Sequence, residues 1–194
     1  MVSIEKIKQL REETGVSIAE CKKALMETRG DIEQAKETLR KWGGELAGKK
    51  SKREAKEGTI ESYLHPNKKI GVLLNIHSES DFVAKSSEFQ GLAHEICLQI
   101  AAMKPLYLKV EDIPEEFIHG EKNIYQEQLK NSGKPQKIIN EIVEGKLNKY
   151  KEEISLLSQA WIKDQNKTIK SLIDEHIAKF GENIIIKKFV RYEI

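Results

Sequence analysis

The chain has 194 residues, 39% hydrophobic and 33% charged, enough for a mid-sized domain with a real core and a small second one. Its 33 basic and 31 acidic residues leave a formal net charge of +2, which speaks against a general nucleic-acid binder, because such proteins carry a clear basic excess. Apolar runs such as Ile184-Ile185-Ile186 fall far short of the roughly 20 residues that span a bilayer.

The first residues, Met1-Val2-Ser3-Ile4-Glu5-Lys6, lack the apolar stretch of a secretory signal. Residues 1–42 read as three short helices. Ser3 caps the first, with Ile4, Ile7 and Leu10 on one face, and Thr14-Gly15 ends it. Ser17-Ile18-Ala19-Glu20 is a capping-box signature for the second, whose face carries Ile18, Cys21 and Leu25. Gly30 stops it and Asp31 caps the third, which aligns Ile32, Ala35, Leu39 and Trp42. Three helices in about forty residues make a minimal bundle, marginal alone by size. It reads either as a small packing module or as a docking module whose loops are free to bind.

Gly43-Gly44 is expected to break the pattern. Residues 43–57, with Lys49, Lys50, Lys52, Arg53 and Lys56, then read as a basic linker. Residues 58–194 read as an α+β core. Thr59 to Tyr63 and Ile70 to Ile76 alternate as two strands around a Pro66-Asn67 turn. Ser87-Glu88-Phe89-Gln90 is a second capping box. It opens a helix whose stripe is Phe89, Leu92, Ala93, Ile96, Ile100 and Met103, with Cys97 beside it. The helical pattern continues to about residue 157, with breaks at Pro105, Pro114 and Gly133-Lys134-Pro135, and Gly145 a further candidate. Thr168 to Lys179 reads as a last helix, stopped by Gly181. Asn183 to Ile194 reads as a third strand that pairs with the hairpin, with Ile184, Ile186, Val190, Tyr192 and Ile194 on one face.

No GxxxxGK[ST], GxGxxG or GxSxG motif occurs, so these routes to nucleotide binding or acyl transfer are missing. Cys21 and Cys97 lack a CxxC partner and fall on helix stripes, as in a reduced, cytoplasmic protein. His94 and His176 lie within helices as ordinary packing or surface residues. His77, Glu79 and Asp81, spaced i, i+2, i+4, share a face on a continued strand and are a weak candidate for a divalent metal. Ser80-Asp81-Phe82-Val83-Ala84 lies at a strand-to-helix connection, where chains are usually exposed. Periodicity alone favours Phe82 folding back as a core anchor. The alternative is an aromatic held out for a partner's pocket.

The order of these pieces resembles the bacterial elongation factor Ts family. Leu10-Arg11-Glu12-Glu13-Thr14-Gly15-Val16, leading into Cys21-Lys22-Lys23-Ala24-Leu25, is similar to that family's Thr-Gly turn followed by Asp-Cys-Lys-x-Ala-Leu. Gly30-Asp31-Ile32-Glu33 fits its third helix, and Glu79-Ser80-Asp81-Phe82-Val83-Ala84-Lys85 resembles its Glu-Thr-Asp-Phe-Val-Ala-Arg motif. Glu144-Gly145-Lys146-Leu147, Ile162-Lys163-Asp164 and Gly181-Glu182-Asn183-Ile184 follow in the family's order, so the resemblance runs end to end. Ser17, Glu20, Ser80 and Lys85 stand where the family has Gly, Asp, Thr and Arg. Long members carry a duplicated core and a coiled-coil insertion; this chain has room for one core and resembles the short form.

The resemblance implies a protein that is not an enzyme and needs no cofactor or metal of its own. It would act in the cytoplasm as a guanine-nucleotide exchange factor for elongation factor Tu, without binding nucleotide directly. Ser80, Asp81, Phe82 and Val83 would form the tip that dislocates the partner's magnesium ion. Arg11, Val16, Lys22 and Lys23 would dock the bundle on the partner, and Phe180 and Gly181 would meet its third domain. The missing second core implies a homodimer. Two other classes stand beside this one: a ubiquitin-associated-like adaptor built on the bundle, and a ribosome- or RNA-binding protein using Lys49 to Lys56.

Overall fold

Three side-chain caps start the bundle. Ser3, Ser17 and Asp31 accept the N–H groups of Lys6 (3.3 Å), Glu20 (3.3 Å) and Gln34 (3.0 Å), satisfying donors that a helix start leaves open. They open α1 (Ile4–Thr14), α2 (Ile18–Glu27) and α3 (Ile32–Lys50). This computed structural model describes residues 2–130 and 132–194; Met1, the first residue of the expected bundle, and Asn131 lie outside the described residues. Leu10, Val16, Cys21, Ala24, Leu25, Ala35 and Leu39 form the bundle's own core.

The expected break at Gly43-Gly44 does not occur. Helix α3 runs through both glycines to Lys50. Gly43 is buried against the core's last helix, and a Cβ there would meet Ala178 at 3.4 Å. Packing outweighs the roughly 1 kcal/mol that glycine forfeits in a helix. The basic segment therefore begins as helix, with Lys49 and Lys50 in its last turn, where the macrodipole favours cations.

Strands β1 (Glu57–Leu64) and β2 (Ile70–Ser78) form the hairpin, and the chain then passes through a single turn, α4 (Asp81–Ala84), into α5 (Ser87–Met103). The cap of α5 is Ser86, which accepts the Phe89 N–H at 3.2 Å, one residue before the expected box. Helices α6 (Glu115–Leu129) and α7 (Gln136–Ile154) pair as an arm, and Gly145 does not interrupt α7. A small hairpin, β3 (Ala160–Trp161) and β4 (Asp164–Thr168), precedes α8 (Ile169–Phe180) and β5 (Ile185–Glu193). That hairpin carries no strand signal in the sequence.

Strand β5 pairs antiparallel with β2, giving the order β1-β2-β5. The expected facing of β5 is wrong beyond Ile186. The register shifts between Asn75 and Ile76, so Ile186 pairs with Ile76 but Phe189 pairs with Leu74 and Arg191 with Val72. One extra residue reverses every later side chain. Phe189 and Arg191 point inward, while Val190 and Tyr192 turn to the outer face with Leu73. Arg191 donates from Nε and Nη2 to the Ala101 carbonyl (3.3 and 3.2 Å) at the end of α5. The inner face of the sheet, α5 and α8 close the main core around Phe89, Ile96, Ile100 and Ile169.

Candidate functional site

The Asp-Phe segment begins where β2 ends. Ser78 Oγ donates to the Ser80 carbonyl at 2.9 Å, and Ser80 Oγ accepts the Val83 N–H at 3.3 Å. Ser86 Oγ donates to the Val83 carbonyl at 2.7 Å and holds the far end. On this single helical turn Val83 and Ala84 face the core, with 5% and 6% exposure, which leaves Asp81 and Phe82 outward. Phe82 is 82% exposed. Val83 is thus the anchor that periodicity assigned to Phe82. An aromatic ring left in water forgoes roughly 1.5–3 kcal/mol of burial, which folding alone does not explain.

Asp81 Oδ2 pairs with Lys85 Nζ at 2.8 Å across one helical turn. The hydrogen bond and charge of Lys85 hold the Asp81 carboxyl below its ordinary range, so it is ionised at neutral pH and its charge is paired with Lys85.

The tip is fastened to a segment 102 residues away in sequence. The Ser80 N–H donates to Glu182 Oε2 (2.9 Å) and Ser80 Oγ donates to Glu182 Oε1 (2.7 Å). In the reverse sense, the Asn183 N–H donates to Glu79 Oε1 (2.7 Å). Asn183, 2% exposed, also donates from Nδ2 to the Arg53 carbonyl (2.8 Å), and the Arg53 guanidinium stands 3.6 Å from Glu79. In the sequence Glu182 and Asn183 stand out only as part of the Gly181-Glu182-Asn183-Ile184 motif. The one signal for their role was polar residues directly after a helix-stopping glycine.

Glu79 and Asp81 are thus committed to separate partners, while His77 Nδ1 lies 3.3 Å from the Ala55 carbonyl. Among the described residues no group of three metal-ligating side chains converges.

Phe180 is half-buried against the main core, 6.1 Å from the His176 ring. Gly181 (φ 71°) ends α8 by donating its N–H to the Ile177 carbonyl at 2.9 Å, and its own carbonyl accepts from Lys50 Nζ. Both residues therefore have structural work, and they adjoin the residue that holds the tip.

The expected docking residues are spread over the bundle. Arg11 and Lys22 are exposed. Lys23 Nζ sits 4.5 Å above the Trp42 ring, and Val16 is packed into the bundle core at 9% exposure. The basic segment is largely engaged: Lys50 at Gly181, Arg53 at Glu79 and Lys56 with Glu54 at 3.2 Å. Both thiols are fully buried, and burial pushes Cys97 up to about 12, so neither is a poised nucleophile.

The sequence model of one protein family, described as "Elongation factor TS", matches residues 4–194. The chain is 51% identical over 194 residues to "Elongation factor Ts" of Thermosipho melanesiensis, covering 100% of this chain and 99% of that one. It is 52% identical over 193 residues to the protein of the same name from Thermotoga petrophila, covering 100% and 96%. A third, from Coprothermobacter proteolyticus, is 50% identical over 193 residues, covering 100% and 98%.

Proposed function

The chain belongs to the elongation factor Ts family, the nucleotide exchange factors of elongation factor Tu and not enzymes, and we propose that it frees GDP from that partner by inserting the Asp81-Phe82 tip beside the partner's magnesium ion. The observation that carries this reading is the 82% exposure of Phe82 on a turn fastened at both ends. A large apolar ring displayed on a stiff support has the form of an interface hot spot.

Ser80 and Val83 hold the turn, Phe82 is the wedge and Asp81 brings a carboxylate fixed by its pair with Lys85. The magnesium ion offsets phosphate charge, so disturbing its surroundings weakens nucleotide binding. Factor and nucleotide become mutually unfavourable, and this coupling is reciprocal. Release and loading are both accelerated, and the cellular excess of GTP gives the direction. No bond is made or broken.

Residues 1–42 act as the docking module, with Arg11, Lys22 and Lys23 on its surface and Val16 shaping the turn from within. Residues 58–194 act as the exchange core, with Phe180 and Gly181 as a further contact. The outer face of the sheet exposes Ile60, Leu64, Leu73 and Tyr192, an apolar surface suited to a second copy of the chain, since an isologous contact needs only one self-complementary patch. A homodimer would supply from two chains what a duplicated core supplies from one.

The test is release of fluorescently labelled GDP from elongation factor Tu. Phe82→Ala is expected to slow stimulated release strongly and Lys52→Ala to leave it unchanged. Parental rates with Phe82→Ala would overturn the wedge.

A further inference from the structure

We infer that Glu182 is a positioning residue for the exchange tip, and that the turn after α8 and the tip move as one body because of it. This rests on the tip reading above.

Helix α4 is one turn long, and an isolated turn does not hold itself together. Phe82 adds nothing to its support, because its ring faces solvent. Yet a wedge acts only as far as its base resists being pushed back. A side chain that must act with sub-ångström definition needs neighbours that lock it.

The lock is a crossed pair of carboxylates. Glu182 reaches from the turn to take both donors of Ser80, and Glu79 reaches back from the tip segment to take the Asn183 N–H. The exchange resembles a β-bridge built from side chains. Ser80 Oγ then donates a hydrogen bond to Glu182 and accepts the Val83 N–H, so the same hydroxyl orients the first turn of α4. Glu182 arrives in place because Gly181, at φ 71°, turns the chain sharply off α8. Lys50 adds α3 to the assembly through the Gly181 carbonyl. A load on the Phe180–Gly181 contact is therefore passed to the Asp81-Phe82 tip chiefly through Glu182, the residue that bonds directly to Ser80, with the Glu79–Asn183 bond beside it.

The experiment uses the full chain and elongation factor Tu loaded with labelled GDP, with factor varied to saturation. Glu182→Ala is expected to lower the maximal release rate by about 10- to 100-fold, with the half-saturating factor concentration little changed, because the docking surfaces are intact. Glu182→Gln keeps one acceptor oxygen for the Ser80 N–H and is expected to recover part of the rate. Ser80→Ala loses the Oγ bond to Glu182 and the Val83 cap but keeps the N–H bond. It is expected to be slow alone and to combine with Glu182→Ala less than additively, since the Oγ–Glu182 bond is lost in either. A parental rate for Glu182→Ala alongside a slow Phe82→Ala would overturn the positioning role and leave the wedge standing. Parental rates for both would overturn the wedge itself. A change in half-saturation alone would make Glu182 a contact residue and also overturn the inference. If Glu182→Ala does not fold, Glu182→Gln and Ser80→Ala decide, and parental rates in both count against it.

Discussion

The missing Cβ of Gly43 would stand 3.4 Å from the Ala178 Cβ, so α3 and α8 cross at van der Waals contact and fix the bundle on the core. Leucine at position 43 must push the helices apart, and overpacking of this kind destabilises by about 1–3 kcal/mol. Gly44, one residue on, has nothing within 4 Å of its own Cβ position. Gly44→Ala is expected to stabilise by about 0.5–1 kcal/mol through helix propensity alone. Thermal denaturation of the two variants should therefore move in opposite directions. Gly43→Leu should also slow GDP release, since it misaligns the docking module with the tip.

Phe82 and Phe89 lie seven residues apart with opposite fates, 82% and 0% exposed. Phe89→Ala leaves a cavity in the main core and is expected to cost about 3–5 kcal/mol. Phe82→Ala removes no buried contact and should leave the unfolding midpoint unchanged. Denaturant titration of both variants checks this. Loss of stability with Phe82→Ala would mean that the ring packs against the chain in solution.

Helix caps, the hairpin and the third strand were legible because each rests on local chemistry. Ser3, Ser17 and Asp31 cap where a short polar side chain meets the start of an apolar stripe. What was not legible depends on distant partners. Gly43-Gly44 looks like a break until α8 lies across it, and the outward turn of Val190 and Tyr192 follows from a register shift opposite Asn75 and Ile76. At the site, a count of apolar spacing cannot distinguish Phe82 from Val83 as the anchor. That choice is made by the N–H that Ser80 captures, and Ser80 is itself placed by Glu182 from far along the chain.

His176 gives the stability a pH dependence. Burial chiefly lowers its pKa below the ordinary 6.5. Lys179 acts in the same direction, while the His176 Nδ1 bond to the Leu172 carbonyl and the charges of Glu175 and Glu88 oppose it. The unfolded chain then takes up the proton first as pH falls. The contribution is complete above about pH 6.5 and is lost as pH drops through the folded value. The melting temperature should fall between pH 7 and pH 5, and His176→Gln should flatten that slope. The carboxyls of Glu13, Asp81, Glu144 and Glu193, held low by basic partners, act at more acid pH. A slope unchanged by His176→Gln would assign the effect elsewhere.

Leu73 is 50% exposed at the centre of β2, with Val190 beside it on β5 and Ile60, Leu64 and Tyr192 on the same outer face at 70%, 62% and 72%. An apolar face of this kind, left open in a monomer, marks an interaction surface. If two copies bury it against each other, the melting temperature rises with protein concentration by mass action. Leu73→Glu places a charge on that face without touching the inner core. It is expected to give a single-chain mass in sedimentation equilibrium, abolish the concentration dependence and reduce GDP release wherever the second copy supplies contacts. The parent protein sedimenting as one chain while retaining full exchange activity would remove the dimer from the mechanism. The partner contacts would then have to come from one core and its bundle.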